Sequence, residues 1–203
     1  RLLKAVPSFL GYHGFPGSIC TSVNEQVVHG IPGERRLEEG DIISIDIGAI
    51  VDGYHADAAR TWPVGKVSSK AQTLIEDTAI ALECGIDAAR IGNRLSDIGA
   101  AIEAYALGKG YGVVREYVGH GIGTSMHEAP QVPNYGPGGM GPRLKAGMTL
   151  AIEPMLNVGG ERVRVLEDQW TVVTEDGSLS AHYEDTVAVT PDGPWILTRR
   201  QDE

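Results

Sequence analysis

The sequence lacks several features that would assign it to a familiar class. It has no run of about 18 apolar residues, the length that a membrane-spanning helix needs. It has two cysteines, Cys20 and Cys84, without Cys-x-x-Cys spacing or a signal-peptide core, so a reducing cytoplasm is expected and a disulfide between them is the less favoured alternative. Only 17 basic residues face 27 acidic ones, and the net charge of −10 disfavours nucleic acids and anionic membranes as partners.

Several enzyme signatures are also missing. The chain has no Gly-x-Ser-x-Gly elbow, no Walker loop and no Gly-x-Gly-x-x-Gly after a strand, which disfavours serine hydrolases, nucleotide hydrolases and dinucleotide-dependent enzymes. A length of 203 residues suits one domain with a substantial core. The sequence begins with Arg1 rather than Met, so a segment upstream of it is expected.

Periodicity predicts a mixture of helices and strands. Helices are predicted over 69–85 and 96–108, with Ser69 and Ser96 as caps and a glycine at each C-terminal end. Alternating apolar and polar residues over 41–62 predict a β-hairpin that turns at Asp52-Gly53. Further strands are predicted over 148–157, 170–174 and 186–190.

Two short patterns recur in the second half of the chain. Leu-x-x-Gly-x-x-x-x-Ile followed by an acid occurs at 37–46 and at 144–153, and His-x-acid occurs at 55–57 and at 182–184. Matches this short have chance as an alternative explanation. A duplication would bring four acids together about a pseudo-twofold axis: Asp46, Asp57, Glu153 and Glu184.

The hairpin register determines where the first two acids point. A two-residue turn pairs Gly48 with Asp57 and places Asp46 opposite Ala59, so the two aspartates are diagonal neighbours on one face. A three-residue loop would turn one of them to the other face. Carboxylates in one gap repel each other unless a cation lies between them, and the alternative is two solvated acids on the outer face of a sheet.

The remaining candidates strengthen the case for a metal site. Glu153 lies within a nearly apolar strand, where an acid is rarely buried without a partner or a metal, and Glu184 precedes a similar run. His120 lies between glycines, which permit close approach to a centre, although a single histidine is more often structural. Four carboxylates and one imidazole are typical of a two-metal hydrolytic centre.

Taken together, these motifs resemble type I methionine aminopeptidases over nearly the whole chain. The resemblance depends on the order and spacing of Leu10-Gly11-Tyr12-His13-Gly14-Phe15-Pro16, His29-Gly30-Ile31-Pro32, Asp46 with Asp57 eleven residues later, Gly119-His120-Gly121-Ile122-Gly123, His127-Glu128-x-Pro130, Ile152-Glu153-Pro154-Met155 and Tyr183-Glu184.

The resemblance implies an α+β protein with the pita-bread fold, a curved antiparallel β-sheet with outer helices and an internal pseudo-twofold repeat. It implies one catalytic domain over 1–203, with halves of about 1–107 and 108–203. The implied activity is removal of the initiator Met from nascent polypeptides in the cytoplasm, preferably before a small second residue, and association with ribosomes is expected. The family normally carries an N-terminal helical segment before the loop at 10–16, and that segment is expected to lie outside this chain.

The resemblance also implies roles for individual residues. Two divalent ions (Co, Mn, Fe or Zn) would be held by Asp46, Asp57, His120, Glu153 and Glu184. They would activate a water whose proton Glu153 moves, while His127 stabilises the oxyanion and His29 positions the scissile amide. The pocket for the Met side chain would be lined by Phe9, Tyr12, Phe15, Cys20, Met126 and Trp170. A monovalent cation would bind backbone oxygens near Asn24, Gln26 and Ser180.

Three positions depart from the family pattern. Phe9 and Met126 stand where bacterial members often have Cys and Phe, and Gly48 stands where Thr is frequent. We therefore expect altered selectivity with retained activity. Two other functions stay open: an X-Pro dipeptidase or aminopeptidase of the same fold, and a binding protein without activity. No feature predicts the oligomeric state.

Overall fold

The computed structural model describes residues 4–199. The expectation of an upstream segment rests on the start of the chain, Arg1-Leu2-Leu3. These three residues lie outside the described range. A short 3-10 helix covers Tyr12–Gly14. The remaining elements are β1 Val6–Pro7, β2 Cys20–Val23, β3 Gln26–Val28, β4 Ile42–Val51, β5 Tyr54–Pro63, α1 Ser69–Ala88, α2 Leu95–Lys109, β6 Gly112–Val113, β7 Gly119–Gly121, β8 Glu128–Val132, β9 Thr149–Ile152, β10 Met155–Asn157, β11 Val163–Val165, β12 Val172–Thr174, β13 Ser180–His182, β14 Glu184–Thr190 and β15 Gly193–Ile196.

The main sheet is antiparallel, and its central path runs in the order β1-β4-β5-β14-β9-β7-β8. The hairpin of β4 and β5 has the predicted register, with Gly48 paired to Asp57 and Asp46 to Ala59. Its turn residues Asp52 and Gly53 both have positive φ, 50° and 84°, which is the signature of a tight two-residue turn. The register prediction is therefore confirmed.

The sheet also confirms the internal pseudo-twofold repeat. The hairpin β4-β5 and the pair β14-β9 meet where β5 and β14 run antiparallel, so the strand order is symmetric about that contact. The Leu-x-x-Gly motifs form the same turn in both halves. The Asp41 amide donates to the Glu38 carbonyl at 3.1 Å, and the Met148 amide, 107 residues later, donates to the Lys145 carbonyl at 3.2 Å. The fold is the expected α+β pita-bread arrangement.

Both helices pack side by side against one face of this sheet, and their buried aliphatic residues join those of β9 and β14 in the largest core cluster. The predicted end of α1 at Gly85 is wrong. A Cβ on Gly85 would stand 2.7 Å from Ile102 Cδ1 in α2, so this glycine permits close helix packing and the helix continues through it. Helix α2 also passes Gly108 and ends at Gly110, which has φ of 83°.

The predicted helix caps are displaced in sequence. The cap of α1 is Ser68 rather than Ser69, since the Ser68 hydroxyl accepts from the Ala71 amide at 3.2 Å. At α2, the Asp97 carboxylate accepts from the Arg94 amide at 2.7 Å, and Ser96 lies inside the first turn. The Ser96 hydroxyl accepts instead from the Met140 amide at 2.7 Å and so holds the long loop against the helix.

The single strand predicted over 148–157 is in fact two strands. It breaks at Glu153-Pro154, because proline has no amide hydrogen to donate to a ladder. The part before the break, β9, pairs within the main sheet, and the part after it, β10, pairs with β13 and β6 in a three-stranded sheet. Glu153 therefore lies where the chain crosses from one sheet to another.

Two other strand boundaries differ by two residues. The strand predicted over 170–174 begins only at Val172, because Asp168 accepts hydrogen bonds from the amides of Trp170 and Thr171 and holds them in a turn. The strand predicted over 186–190 begins earlier, at Glu184, since Glu184 and Asp185 already pair with β5.

Both cysteines are free thiols, with Cys20 buried and Cys84 partly buried. Over residues 4–199, no helix has both the length and the apolar character needed to cross a membrane.

Candidate metal centre and active site

The four predicted acids converge at the centre of the main sheet. Asp46 and Asp57 come from the middle of β4 and β5, and Glu184 begins β14, which pairs with Ala59 of β5. Glu153 joins them from the break that follows β9. All four side chains are largely buried, with Glu184 only 2% exposed. Each half of the repeat thus contributes two carboxylates to one cluster.

His120 completes the cluster from β7, where pairing with Ala151 of β9 fixes its backbone. Its Nδ1 lies 2.9 Å from the Gly121 carbonyl oxygen, which can only accept, so Nδ1 carries the proton and Nε2 keeps a free lone pair. That Nε2 lies 3.5 Å from Glu153 Oε1. Candidate ligand atoms of Asp57, His120 and Glu184 lie within 4.8 Å of one another.

The buried carboxylates of the cluster would be stabilised in their charged form by a cation. Burial raises the pKa of Asp46, Glu153 and Glu184 well above the usual range, reinforced by repulsion from neighbouring carboxylates, and burial raises the pKa of Asp57 to about 7. Within the described residues, no lysine or arginine lines the cavity above them. Asp46 Oδ1 and Glu184 Oε1 are buried and have no hydrogen-bond partner among residues 4–199.

This donor set fits divalent metal ions. Carboxylate oxygens and one neutral imidazole suit Mn, Fe, Co or Zn, and the two unsatisfied acceptors are shielded from solvent. Five ionisable side chains buried together without a counter-charge would otherwise carry a large desolvation cost. These side chains are therefore candidate metal ligands.

Sequence reasoning missed His182 as a site residue. The structure places this histidine at the end of β13, 2% exposed, with Nε2 3.8 Å from Glu153 Oε2 and 3.9 Å from Glu184 Oε2. Burial lowers the pKa of His182 to about 3, so the ring is neutral near pH 7. The available signal was its position two residues before Glu184, since alternate strand residues share a face.

An apolar-walled cavity of about 640 Å³ opens above the cluster. Phe9, Phe15, Cys20 and Met126 form a buried hydrophobic cluster in its wall, and Tyr12 and Trp170 pack against it. The Phe15 and Trp170 rings meet edge to face with centroids 5.1 Å apart. The structure therefore brings all six residues of the predicted methionine pocket together beside the acids.

The two other predicted catalytic histidines also line the cavity. The His127 ring lies 4.1 Å from the His120 ring between centroids, and its Nδ1 is 2.8 Å from the Tyr12 hydroxyl. Burial first, and then nearby histidines, lower the pKa of His127 to about 4. His29 meets Tyr117 edge to face, and burial lowers its pKa as well. Both rings are neutral near pH 7.

The residues predicted to hold a monovalent cation lie near one another. The Ser180 amide donates to the Asn24 carbonyl at 2.9 Å, and the Ser180 hydroxyl is buried with no partner among residues 4–199. Gln26 uses its side-chain oxygen to accept from the Val23 amide at 2.8 Å. The cation itself stays a prediction.

The fold and the donor set define a metal-dependent hydrolase. The family model of metallopeptidase family M24 matches residues 4–191. A methionine aminopeptidase of Clostridium acetobutylicum is 59% identical over 196 residues, which cover 96% of this chain and 78% of that protein. The crystal structure of methionine aminopeptidase from Rickettsia prowazekii superposes with a TM-score of 0.95 at 47% identity, over 96% of this chain and 79% of the other. The chain therefore belongs to metallopeptidase family M24, in its methionine aminopeptidase branch.

Proteins named for another activity share the fold at greater distance. Prolidase from Pyrococcus furiosus superposes with a TM-score of 0.71 at 26% identity, over 90% of this chain and 49% of that one. The lower similarity places this chain further from the X-Pro enzymes than from the methionine aminopeptidases.

Proposed function

We propose that this protein hydrolyses the peptide bond after an N-terminal methionine, preferably where the second residue is small. The observation that supports the proposal most strongly is the shared cavity. Its floor is the acidic cluster and its wall is the apolar group that includes Phe15 and Trp170. An acidic floor attracts the free α-ammonium group of a chain end, and the apolar wall takes an unbranched apolar side chain beside it.

We infer that two divalent ions, drawn from Co, Mn, Fe and Zn, bind at Asp46, Asp57, His120, Glu153 and Glu184. Ions bound there would lower the pKa of a water toward neutrality and polarise the scissile carbonyl. Asp57 and Glu184 would be among the side chains that hold the ions, since their ligand atoms and that of His120 lie within 4.8 Å of one another. The free Nε2 of His120 is oriented for one of them by the hydrogen bond from Nδ1 to Gly121.

Glu153 would move the proton. Its side chain lines the cavity, and burial raises the pKa of its carboxyl group, which favours a group that first accepts a proton and then returns it. It would accept a proton from the attacking water and deliver it to the leaving amide nitrogen. Glu153 is also tethered through its backbone, since the Asn134 side-chain amide donates to the Glu153 carbonyl at 3.0 Å.

His127 would stabilise the charge that develops on the carbonyl oxygen. If the Tyr12 hydroxyl donates to Nδ1 at 2.8 Å, then the neutral ring carries its proton on Nε2 and can donate it to the substrate. His29, which lines the cavity and whose ring packs edge to face against Tyr117, would position the scissile amide.

A substrate panel tests the proposal. We expect rapid Met release from Met-Ala-Ser, slow release from Met-Val-Ser because of the larger second residue, and none from N-acetyl-Met-Ala-Ser, which has no free amine. Preferential cleavage of Ala-Pro would contradict the proposal in favour of the X-Pro activity. No turnover of any peptide by a protein that binds metal would favour a binding function.

We further propose that residues 1–203 act as a single catalytic domain of two halves, since each half supplies acids to one centre. We place it in the cytoplasm, acting on nascent chains at the ribosome. Sedimentation with ribosomes carrying short nascent chains would test this, and a protein that stays in the light fractions would contradict it.

A further inference from the structure

We propose that His182 is a positioning residue: its Nε2–H donates to the carboxylate oxygens of Glu153 and Glu184 and holds both glutamates in their working orientation. The inference deepens the proposed function and rests on it, because Glu153 is the proton carrier there. Partners that orient metal-bound side chains typically change metal affinity or activity by about 10–100-fold when removed.

The geometry supports donation toward these two oxygens. His182 Nε2 lies 3.8 Å from Glu153 Oε2 and 3.9 Å from Glu184 Oε2. Nε2 is buried and has no hydrogen-bond partner among residues 4–199. The two oxygens lie about 1 Å beyond ordinary hydrogen-bond length, and catalytic hydrogen bonds are often long before the reacting groups are assembled. A buried ring nitrogen that faces two carboxylates is best satisfied as a donor.

The His182 ring is held by a fixed backbone. The His182 amide donates to Thr61 Oγ1 at 2.9 Å, and Thr61 Oγ1 lies 3.0 Å from the His182 carbonyl. Thr61 in turn bonds Ser44 at 2.8 Å, and His182 pairs with Met155 in the small sheet. The backbone that carries the imidazole is thus anchored to both sheets at the point where they meet.

The two oxygens of Glu153 face different histidines. Oε1 lies 3.5 Å from Nε2 of His120, whose lone pair is available for a metal. Oε2 faces His182. One oxygen thus faces the candidate ligand nitrogen of His120 and the other faces the ring nitrogen of His182. The competing role is direct ligation, because candidate ligand atoms of Glu153, His182 and Glu184 also lie within 4.8 Å of one another.

The internal repeat provides a matched control. His55 stands two residues before Asp57 as His182 stands two before Glu184, yet its Nδ1 lies 3.0 Å from the Ser8 hydroxyl and its ring is only partly buried. Loss of the His55 ring should therefore leave metal binding unchanged, because no glutamate depends on it.

The variants to compare are His182→Leu, His182→Gln and His55→Leu, each checked for folding by near-ultraviolet circular dichroism. Calorimetric titration with Co²⁺ measures metal affinity, and Met release from Met-Ala-Ser measures turnover. We expect His182→Leu to lose about 10–100-fold in one or both quantities, and His182→Gln to recover most of that loss, since its amide still donates. Wild-type values for His182→Leu would overturn the proposal, and so would a loss in His182→Gln equal to that in His182→Leu.

Proton NMR of the wild-type protein loaded with Co²⁺ separates positioning from ligation without any variant. A positioning role predicts one strongly shifted exchangeable imidazole proton, that of His120, and two such signals would overturn it. If the wild type released no Met, the proposed function would fail, while the affinities and the imidazole signals would still decide the role of His182.

Discussion

Phe9 lies directly over Gly48, so that a Cβ built on Gly48 would stand 2.6 Å from Phe9 Cε1 and 2.8 Å from Ser8 Cβ. The space over Gly48, between Asp46 and Asp57 on the strand face, is therefore filled by the buried ring of Phe9. The two departures from the family pattern, Phe9 for a frequent Cys and Gly48 for a frequent Thr, are structurally linked. We expect the altered selectivity predicted from these departures to arise from this pair.

The pair should show strong coupling in a double-mutant cycle. Gly48→Thr alone is expected to cost about 1–3 kcal/mol of unfolding free energy, because the core beside Phe9 is overpacked. Phe9→Cys should relieve that cost, so the double variant is more stable than the sum of the two single changes predicts. Urea unfolding of the four proteins measures this. Additive effects would show that Phe9 and Gly48 do not constrain each other.

Asp77 should make stability depend on pH. Its burial acts to raise its pKa, but hydrogen bonds from Tyr105 at 2.6 Å and Tyr111 at 3.0 Å, together with Lys109 at 3.2 Å, outweigh burial and lower the pKa. A lowered folded-state pKa contributes stability above the unfolded value of about 3.9, and that contribution is lost as pH falls through the folded value.

Asp77→Asn should therefore cost about 1–3 kcal/mol at pH 7 and progressively less below pH 4. Unfolding curves at pH 7, 5 and 3.5 would measure the difference. The exposed Asp87 on the same helix, with its side chain 77% accessible, gives a matched control in Asp87→Asn. A constant difference between wild type and Asp77→Asn at all three pH values would contradict the assignment.

Tyr12 should act through His127. Tyr12→Phe removes the hydroxyl that lies 2.8 Å from His127 Nδ1 and leaves the aromatic wall of the pocket in place. The loss of one hydrogen bond, about 0.5–1.5 kcal/mol, predicts a fall in kcat of about 2- to 12-fold with KM nearly unchanged. Tyr54→Phe, at a position 64% exposed, serves as the control. A rise in KM alone would assign Tyr12 to the pocket rather than to His127.

Metal removal should lower thermal stability through the acidic cluster. Ions that bind only the folded state at 100 times their Kd add about 2.7 kcal/mol, or roughly 5–10 °C in Tm for a chain of this size. Asp46→Asn should weaken this response to added Mn²⁺, and Asp52→Asn, at the exposed turn, should not. An equal metal response in wild type and Asp46→Asn would contradict the place of Asp46 in the centre.

Local sequence signals predicted the part of the site that the β4-β5 hairpin builds. Asp52-Gly53 set the turn, the turn set the register, and the register put Asp46 and Asp57 on one face. The position of Glu153 was harder to predict from the sequence. Pro154 breaks the strand at the point where two sheets meet, and the meeting of the sheets depends on the tertiary fold. His182 was missed because its contact with Glu153 forms only where the two sheets meet, and its position two residues before Glu184 was the one local signal.

The helix ends illustrate the same limit. Gly85 was interpreted as a stop, yet its missing side chain makes room for Ile102 of the neighbouring helix. A glycine that ends a helix and a glycine that admits a partner helix look identical in the sequence, and only tertiary packing separates them.

Met release by the chelated and reloaded protein, compared with Glu153→Gln, tests the central claim most directly. The wild type should lose activity toward Met-Ala-Ser after chelation and regain it with Co²⁺, Mn²⁺ or Fe²⁺. Reloaded Glu153→Gln should be slower by about 10²- to 10⁴-fold, while Glu175→Gln, at an exposed site, keeps full activity. Full turnover by Glu153→Gln, or by the metal-free wild type, would contradict the account.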